Sequence, residues 1–139
     1  MNDHTYLLSP GRWEISGSTI DVAGNPNFMI GFAVVTHGES WTIEEQLNEN
    51  PSRYSVTPPA PGEHAAIFNG HHGILGNVQG GFALFDDIIV STYRSDDGQY
   101  VASEVFRRID DDNYDCKGAL FLNGGHVSSW TLLLHRASA

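Results

Sequence analysis

The chain has 139 residues, 40% hydrophobic and 17% charged, which fits one domain over residues 1–139 with a buried core and excludes a disordered chain. The net charge is −10, and because so acidic a surface repels phosphates and anionic lipid, we expect neither nucleic acid nor a membrane as a partner. Cys116 is the only cysteine, which excludes an internal disulfide. No secretory signal or long apolar run is visible, so we expect a cytoplasmic protein.

The first part of the chain is predicted to be a lead-in followed by strands. Residues 1–10 are predicted to include a short helical turn that plugs one end of the fold. From Gly11 apolar and polar residues alternate, which is typical of a strand with one buried face. Residues 28–35 are apolar on both faces, which indicates a strand that is covered on both sides or faces another chain. Residues 41–47 are predicted as a strand rather than the competing helix.

The remainder continues as short strands joined by turns. Prolines between 48 and 63 allow only a short edge strand at 54–57. Asp97-Gly98 supplies the positive φ of a tight hairpin turn. Further strands are predicted over residues 65–68, 74–85, 88–93, 100–109, 114–122 and 127–136. This meander predicts an all-β fold, an antiparallel up-and-down barrel of about 8–10 strands.

Three residues at the two ends of the strand region belong together. Gly11 and Trp13 begin the first strand, and Arg136 ends the last. In a closed meander these strands are neighbours, so Arg136 can stack on the indole of Trp13. The combination resembles the calycin superfamily, which includes lipocalins and fatty-acid-binding proteins. The resemblance implies a calycin barrel closed by these three residues and the binding of a ligand inside it. It identifies no subfamily, because the lipocalin Thr-Asp-Tyr motif and the fatty-acid-binding protein lid are missing.

Aromatic residues spread over many strands predict a cavity for a small, largely apolar or amphipathic ligand. The alternative is that they simply fill the barrel. We expect the polar anchor among Arg94, Arg107, Glu45 and Tyr93, since a buried arginine suits a carboxylate ligand. The predicted ligand-binding residues are Phe32, Trp41, Tyr93, Arg94, Tyr100, Phe106, Arg107 and Trp130.

Two glutamates are candidates for acid–base chemistry. Glu45 shares a strand face with Ile43, and Glu104 shares one with Phe106, so an inward position is one interpretation of each. With a raised pKa either could act as a general base in a lyase, isomerase or cyclase. Ion pairing on the outer face is the interpretation that we favour for both glutamates. No established catalytic motif is present, so the sequence favours binding over catalysis.

The seven histidines provide the remaining candidates. His71, His72 and His135 are candidate metal ligands, but no His-x-His or Cys-x-x-Cys spacing accompanies them, so no cofactor is predicted. His135 near the end of the last strand resembles the haem-binding histidine of the nitrobindins, which implies haem as a further alternative. A barrel that works through its surface, as a homodimer formed by residues 28–35, is the last alternative.

Overall fold

The computed structural model describes residues 4–137, which form a closed antiparallel barrel. Each strand pairs with its neighbours in sequence, and β1 pairs with β10 to close the barrel, so the predicted all-β meander is confirmed. The strands of the described chain are β1 Gly11–Asp21, β2 Pro26–His37, β3 Trp41–Leu47, β4 Asn50–Thr57, β5 Ala65–His72, β6 Gly76–Phe85, β7 Ile88–Ser95, β8 Tyr100–Asp110, β9 Asn113–Leu122 and β10 Gly125–Arg136.

The strand that was predicted as a short edge differs from the prediction. β4 begins at Asn50 and includes Pro51, and it lies between β3 and β5, because a closed barrel has no edge. Pro51 is tolerated there because the pairing of β4 with β5 begins only at Arg53. The ladder on that side therefore needs no N–H from residue 51.

Side chains alternate between the inside and the outside of the barrel along the central stretches of β8 and β10. The register shifts are close to strand ends, between Arg108 and Asp110 in β8 and between His126 and Ser128 in β10. The inward face predicted from sequence therefore stays unbroken along the central stretches of both strands.

The lead-in covers one end of the barrel. Residues 5–9 form a single turn in which the N–H of Ser9 donates to the carbonyl of Thr5. Tyr6 and Leu7 are buried, and the Tyr6 ring meets Trp13 edge-on at 5.6 Å. His37 fixes the turn by donating its Nε2–H to the carbonyl of Leu7 at 2.8 Å. Residues 1–3 of the predicted plug lie outside the described residues.

The closure residues meet where β1 and β10 pair. Trp13 is fully buried and lies opposite Arg136 in the ladder, and the guanidinium carbon is 5.7 Å from the centre of the indole. Arg136 also donates to Asp112 at 3.0 Å. At Gly11 an added Cβ would meet Arg136 at an ordinary contact distance of 3.9 Å, so the structure shows no steric need for glycine there. Within residues 4–137 no helix is long and apolar enough to cross a membrane.

Candidate functional site

A cavity of about 130 Å³ lies inside the barrel, at the end opposite the lead-in. Five hairpins surround this end, at residues 22–25, 48–49, 73–75, 96–99 and 123–124. The apolar lining consists of Met29, Leu47, Ile74, Leu75, Leu120, Trp130 and Leu132. The polar lining consists of Thr19, Glu45, Asn50, Ser52, His72, Tyr93, Glu104 and Ser128.

A deeper chamber of about 40 Å³ continues toward the lead-in. It shares Glu45, Tyr93 and Glu104 with the outer cavity and ends at Tyr6, whose ring is also part of the plug. The two glutamates and Tyr93 therefore line both chambers in the middle of the barrel.

Glu45 on β3 and Glu104 on β8 both face this interior, so the favoured prediction of ion pairs on the outer face is wrong for both. Burial raises the pKa of Glu45 to about 7. Burial, together with the charge of Glu45, raises the pKa of Glu104 to about 8, although a hydrogen bond from Trp130 opposes the shift. Burial raises these pKa values because it disfavours the charged form of a carboxyl group. Both groups therefore titrate close to neutral pH.

Trp130 reaches Glu104 across an intervening strand. Glu104 on β8 pairs with Gly118 on β9, and Gly118 pairs with Trp130 on β10. The indole lies against the glycine, where an added Cβ would come within 2.6 Å of the ring atoms. The indole N–H donates to Oε1 of Glu104 at 3.1 Å, which leaves Oε2 of Glu104 for another donor.

The predicted arginine anchors are wrong. Arg107 is exposed on the outer face and pairs with Asp115 at 2.6 Å, because its neighbour Phe106 takes the inward position. Arg94 is exposed as well, beside the inward Tyr93. Among residues 4–137 no arginine or lysine lines either chamber.

The predicted aromatic residues divide between the inside and the outside of the barrel. Tyr93, Phe106 and Trp130 line the interior chambers. Phe32 lies on the outer face under the guanidinium of Arg12, at 4.2 Å, because the adjacent Ala33 takes the inward position.

Two further predicted aromatic residues lie away from the chambers. Trp41 stacks on His37 with the ring centres 4.0 Å apart, at the end of the barrel that the lead-in covers. Tyr100 is half-buried at the start of β8 and lines neither chamber. Phe32, Trp41 and Tyr100 are therefore corrections to the predicted lining.

The three candidate histidines do not come together. His72 lines the cavity, and its Nδ1 accepts hydrogen bonds from the backbone N–H groups of Ile74 and Leu75 at 3.1 and 3.2 Å. His71 is exposed, and His135 is exposed on β10, where it contacts Asn113 at 2.8 Å. Within residues 4–137 no group of three histidine, cysteine or acidic side chains is arranged to hold a metal ion.

Several lining residues are not among those predicted from the sequence. Ser52 and Ser91 are small, buried and inward-facing, and Ser52 accepts the N–H of Gly73 at 3.0 Å. Leu120 and Leu132 alternate with other inward residues on β9 and β10. The period-two pattern could have found all four, but it does not show which inward positions stay unfilled.

These features define a calycin-like barrel with an internal cavity. No protein-family model and no curated protein matches the sequence. A solved S-type phycobiliprotein lyase, CPES from Guillardia theta, is similar over 94% of this chain and 89% of its own, with a TM-score of 0.67 and 12% identity. A protein of unknown function from the DUF3598 family of Nostoc punctiforme has a TM-score of 0.68 and 16% identity. The similarity spans 92% of this chain but 47% of that one. These likenesses support the calycin-like fold alone.

Proposed function

We propose that the protein binds a small, largely apolar molecule in the outer cavity. The observation that supports this most directly is an apolar wall with two inward carboxyl groups at its base, the usual composition of a small-molecule site. The cavity is reached from the hairpin end, where Ile74 on the rim is 68% exposed. The opposite end is covered by the lead-in.

The volume of the cavity limits the size of the ligand that it can hold. Its volume of about 130 Å³ is close to that of an engineered apolar cavity of ~150 Å³ that binds benzene. A single ring with a short substituent therefore fits without rearrangement. A larger ligand requires the rim hairpins to move apart.

Ser128→Phe tests the proposal, because Ser128 lines the cavity and a phenyl group there fills it. Ser129→Phe is the matched control on the next, outward position of β10. We expect toluene and benzyl alcohol to raise the Tm of the original protein and of Ser129→Phe but not of Ser128→Phe, since a ligand stabilises only the state that binds it. Equal shifts in all three proteins would count against the proposed site. Native mass spectrometry before and after denaturation would identify any ligand carried through purification.

Catalysis in the same cavity is the second candidate. Two carboxyl groups with pKa values of about 7 and about 8 are suited to general acid–base work at neutral pH. The similarity of the barrel to one described as a phycobiliprotein lyase also supports a lyase, isomerase or cyclase. Incubation of a recovered ligand with the protein and with Glu104→Gln separates the candidates. Chemical conversion by the original protein alone supports catalysis, and an unchanged ligand supports binding.

Haem is not part of the proposal. The nitrobindin resemblance depends on His135, which lies on the outer face of β10 and contacts Asn113 rather than the interior. An axial ligand at this position does not reach the cavity, because the strand itself lies between them.

A further inference from the structure

We propose that the ligand is a nitrogen base, an amine or amidine that binds as its cation. The apolar part of the molecule would lie against Trp130, Leu120 and Leu132, and its charged nitrogen would lie between Glu45 and Glu104. This inference rests on the proposed binding function and adds the chemical class of the ligand to it.

The charges inside the barrel support a cation. Glu45 and Glu104 both line the two chambers, and within residues 4–137 no arginine or lysine lines either one. A carboxylate ligand would bring a negative charge beside two carboxyl groups with no arginine or lysine to balance it, which is costly in a partly desolvated site. A cation would instead allow both glutamates to ionise.

Polar groups without partners provide an independent observation. Tyr93 is 9% exposed and lines both chambers, and its hydroxyl makes no hydrogen bond with any residue of the described chain. Glu45 also has no hydrogen-bond partner among residues 4–137, and Oε2 of Glu104 is open. These groups line the cavity, so a ligand that donates hydrogen bonds there would find acceptors that no other side chain of the described chain occupies. An ammonium group supplies three N–H donors and no acceptor.

The surroundings of the two glutamates make the proposed binding depend on pH. Among residues 4–137 the other titratable groups facing them are phenols, an imidazole and a thiol: Tyr6, Tyr54, His72, Tyr93 and Cys116. Burial raises the pKa of the phenols and of the thiol and lowers the pKa of the imidazole, so all of these groups are neutral near pH 7. The two carboxyl groups are therefore the ones that lose protons when a cation binds, and affinity for a cation should rise between pH 6 and pH 8.

Four probes of matched shape test the inference by calorimetry at pH 8: benzylamine, benzyl alcohol, toluene and benzoate. We expect benzylamine to bind at least about tenfold more tightly than benzyl alcohol, as a charge-assisted hydrogen bond allows, and benzoate not to bind. Glu45→Gln and Glu104→Gln should each reduce this preference, measured as the ratio of the benzylamine and benzyl alcohol affinities within the same variant. Glu44→Gln is the matched control, because Glu44 is exposed on the outer face and pairs with Arg53 at 2.7 Å.

The outcomes separate this inference from the proposed function. Equal binding of amine and alcohol, or tighter binding of benzoate, would overturn the nitrogen-base inference and leave the cavity as a binding site. Binding of no probe, or equal binding by Ser128→Phe, would overturn both. If the glutamine variants do not fold, the pH dependence of benzylamine affinity in the unsubstituted protein tests the inference instead. Benzylamine affinity that does not rise between pH 6 and pH 8 contradicts the inference.

Discussion

Trp130 donates its indole N–H to Glu104 at 3.1 Å across Gly118, which lies between them in the ladder of β8, β9 and β10. The glycine gives the indole room to lie flat against β9. Three strands thus contribute to a single feature of the cavity wall. The relationship also orients the carboxyl group, because one of its oxygens is held and the other is left open.

Gly118→Ala should displace the indole and break its hydrogen bond to Glu104, because the new Cβ would lie 2.6 Å from ring atoms. We expect a loss of about 1–3 kcal/mol in the free energy of unfolding, as for an overpacked core. Denaturant unfolding measures the loss of stability, and the tryptophan emission spectrum reports the displacement of the indole. Ala119→Val, on the outward position of the same strand, should change neither by a comparable amount.

Glu45 should make the protein less stable as pH rises. Its pKa is raised from 4.5 to about 7, so the folded state holds the proton more strongly than the unfolded state does. Stability from this group is full below pH 4.5 and is lost as pH rises to about 7, by about 3 kcal/mol at 1.36 kcal/mol per unit. Glu45→Gln should remove this loss, so that its Tm advantage over the original protein grows from pH 5 to pH 8. A Tm difference that stays constant with pH, as expected for the exposed control Glu44→Gln, would show the prediction to be wrong.

Tyr114→Phe should loosen the lead-in. The Tyr114 hydroxyl lies 2.7 Å from Nδ1 of His4 and accepts the N–H of Thr5 at 3.2 Å. Loss of this buried hydroxyl should cost about 1–2 kcal/mol and speed amide exchange in residues 4–9. Tyr100→Phe at the opposite end of the barrel is the control. Unchanged exchange in the lead-in would mean that the hydroxyl does not hold it.

Arg136→Met should remove the cation–π contact with Trp13 while keeping most of the side-chain volume. We expect a loss of about 0.5–2 kcal/mol in urea unfolding, the range for such contacts. Arg107→Met, which removes an exposed arginine that pairs with Asp115, should have little effect. Equal losses in the two variants would indicate that the ion pair, and not the stacking on Trp13, accounts for the effect.

Self-association through the outer face of β1, β2 and β10 stays a prediction. Phe28, Ile30 and Leu133 are 70%, 59% and 56% exposed, and the last two both pair with Ser16, so they lie close together on that face. Large exposed apolar patches typically mark interaction sites. Light scattering should give a mass near twice 15.2 kDa, reduced to one chain by the double change Phe28→Ser and Ile30→Ser. Ile67→Ser, at a single exposed apolar residue on β5, is the control, and a monomeric original protein contradicts the prediction.

Much of the site could be predicted from alternation alone. The inward positions of Glu45, Glu104 and Trp130 follow from strands whose register shifts occur only near their ends. The same pattern could have excluded Phe32 and Arg107, since each is next to a small or apolar inward residue. Alternation could not show that Trp41 lies outside the chambers, because its position depends on stacking with His37 at the end that the lead-in covers.

The sequence by itself determined most of the strands and their order, because these depend on a local period of two residues and on short turns. The lining predicted on β2, β7 and β8 included outward residues, so the inward face was not determined in every strand. Tertiary structure decided which inward positions fill the barrel and which surround empty space. It also decided that two glutamates from β3 and β8 share one cavity that no arginine or lysine among residues 4–137 lines. Such pairings depend on the closure of the barrel and on the room that Gly118 leaves for an indole, and neither is a property of any single strand.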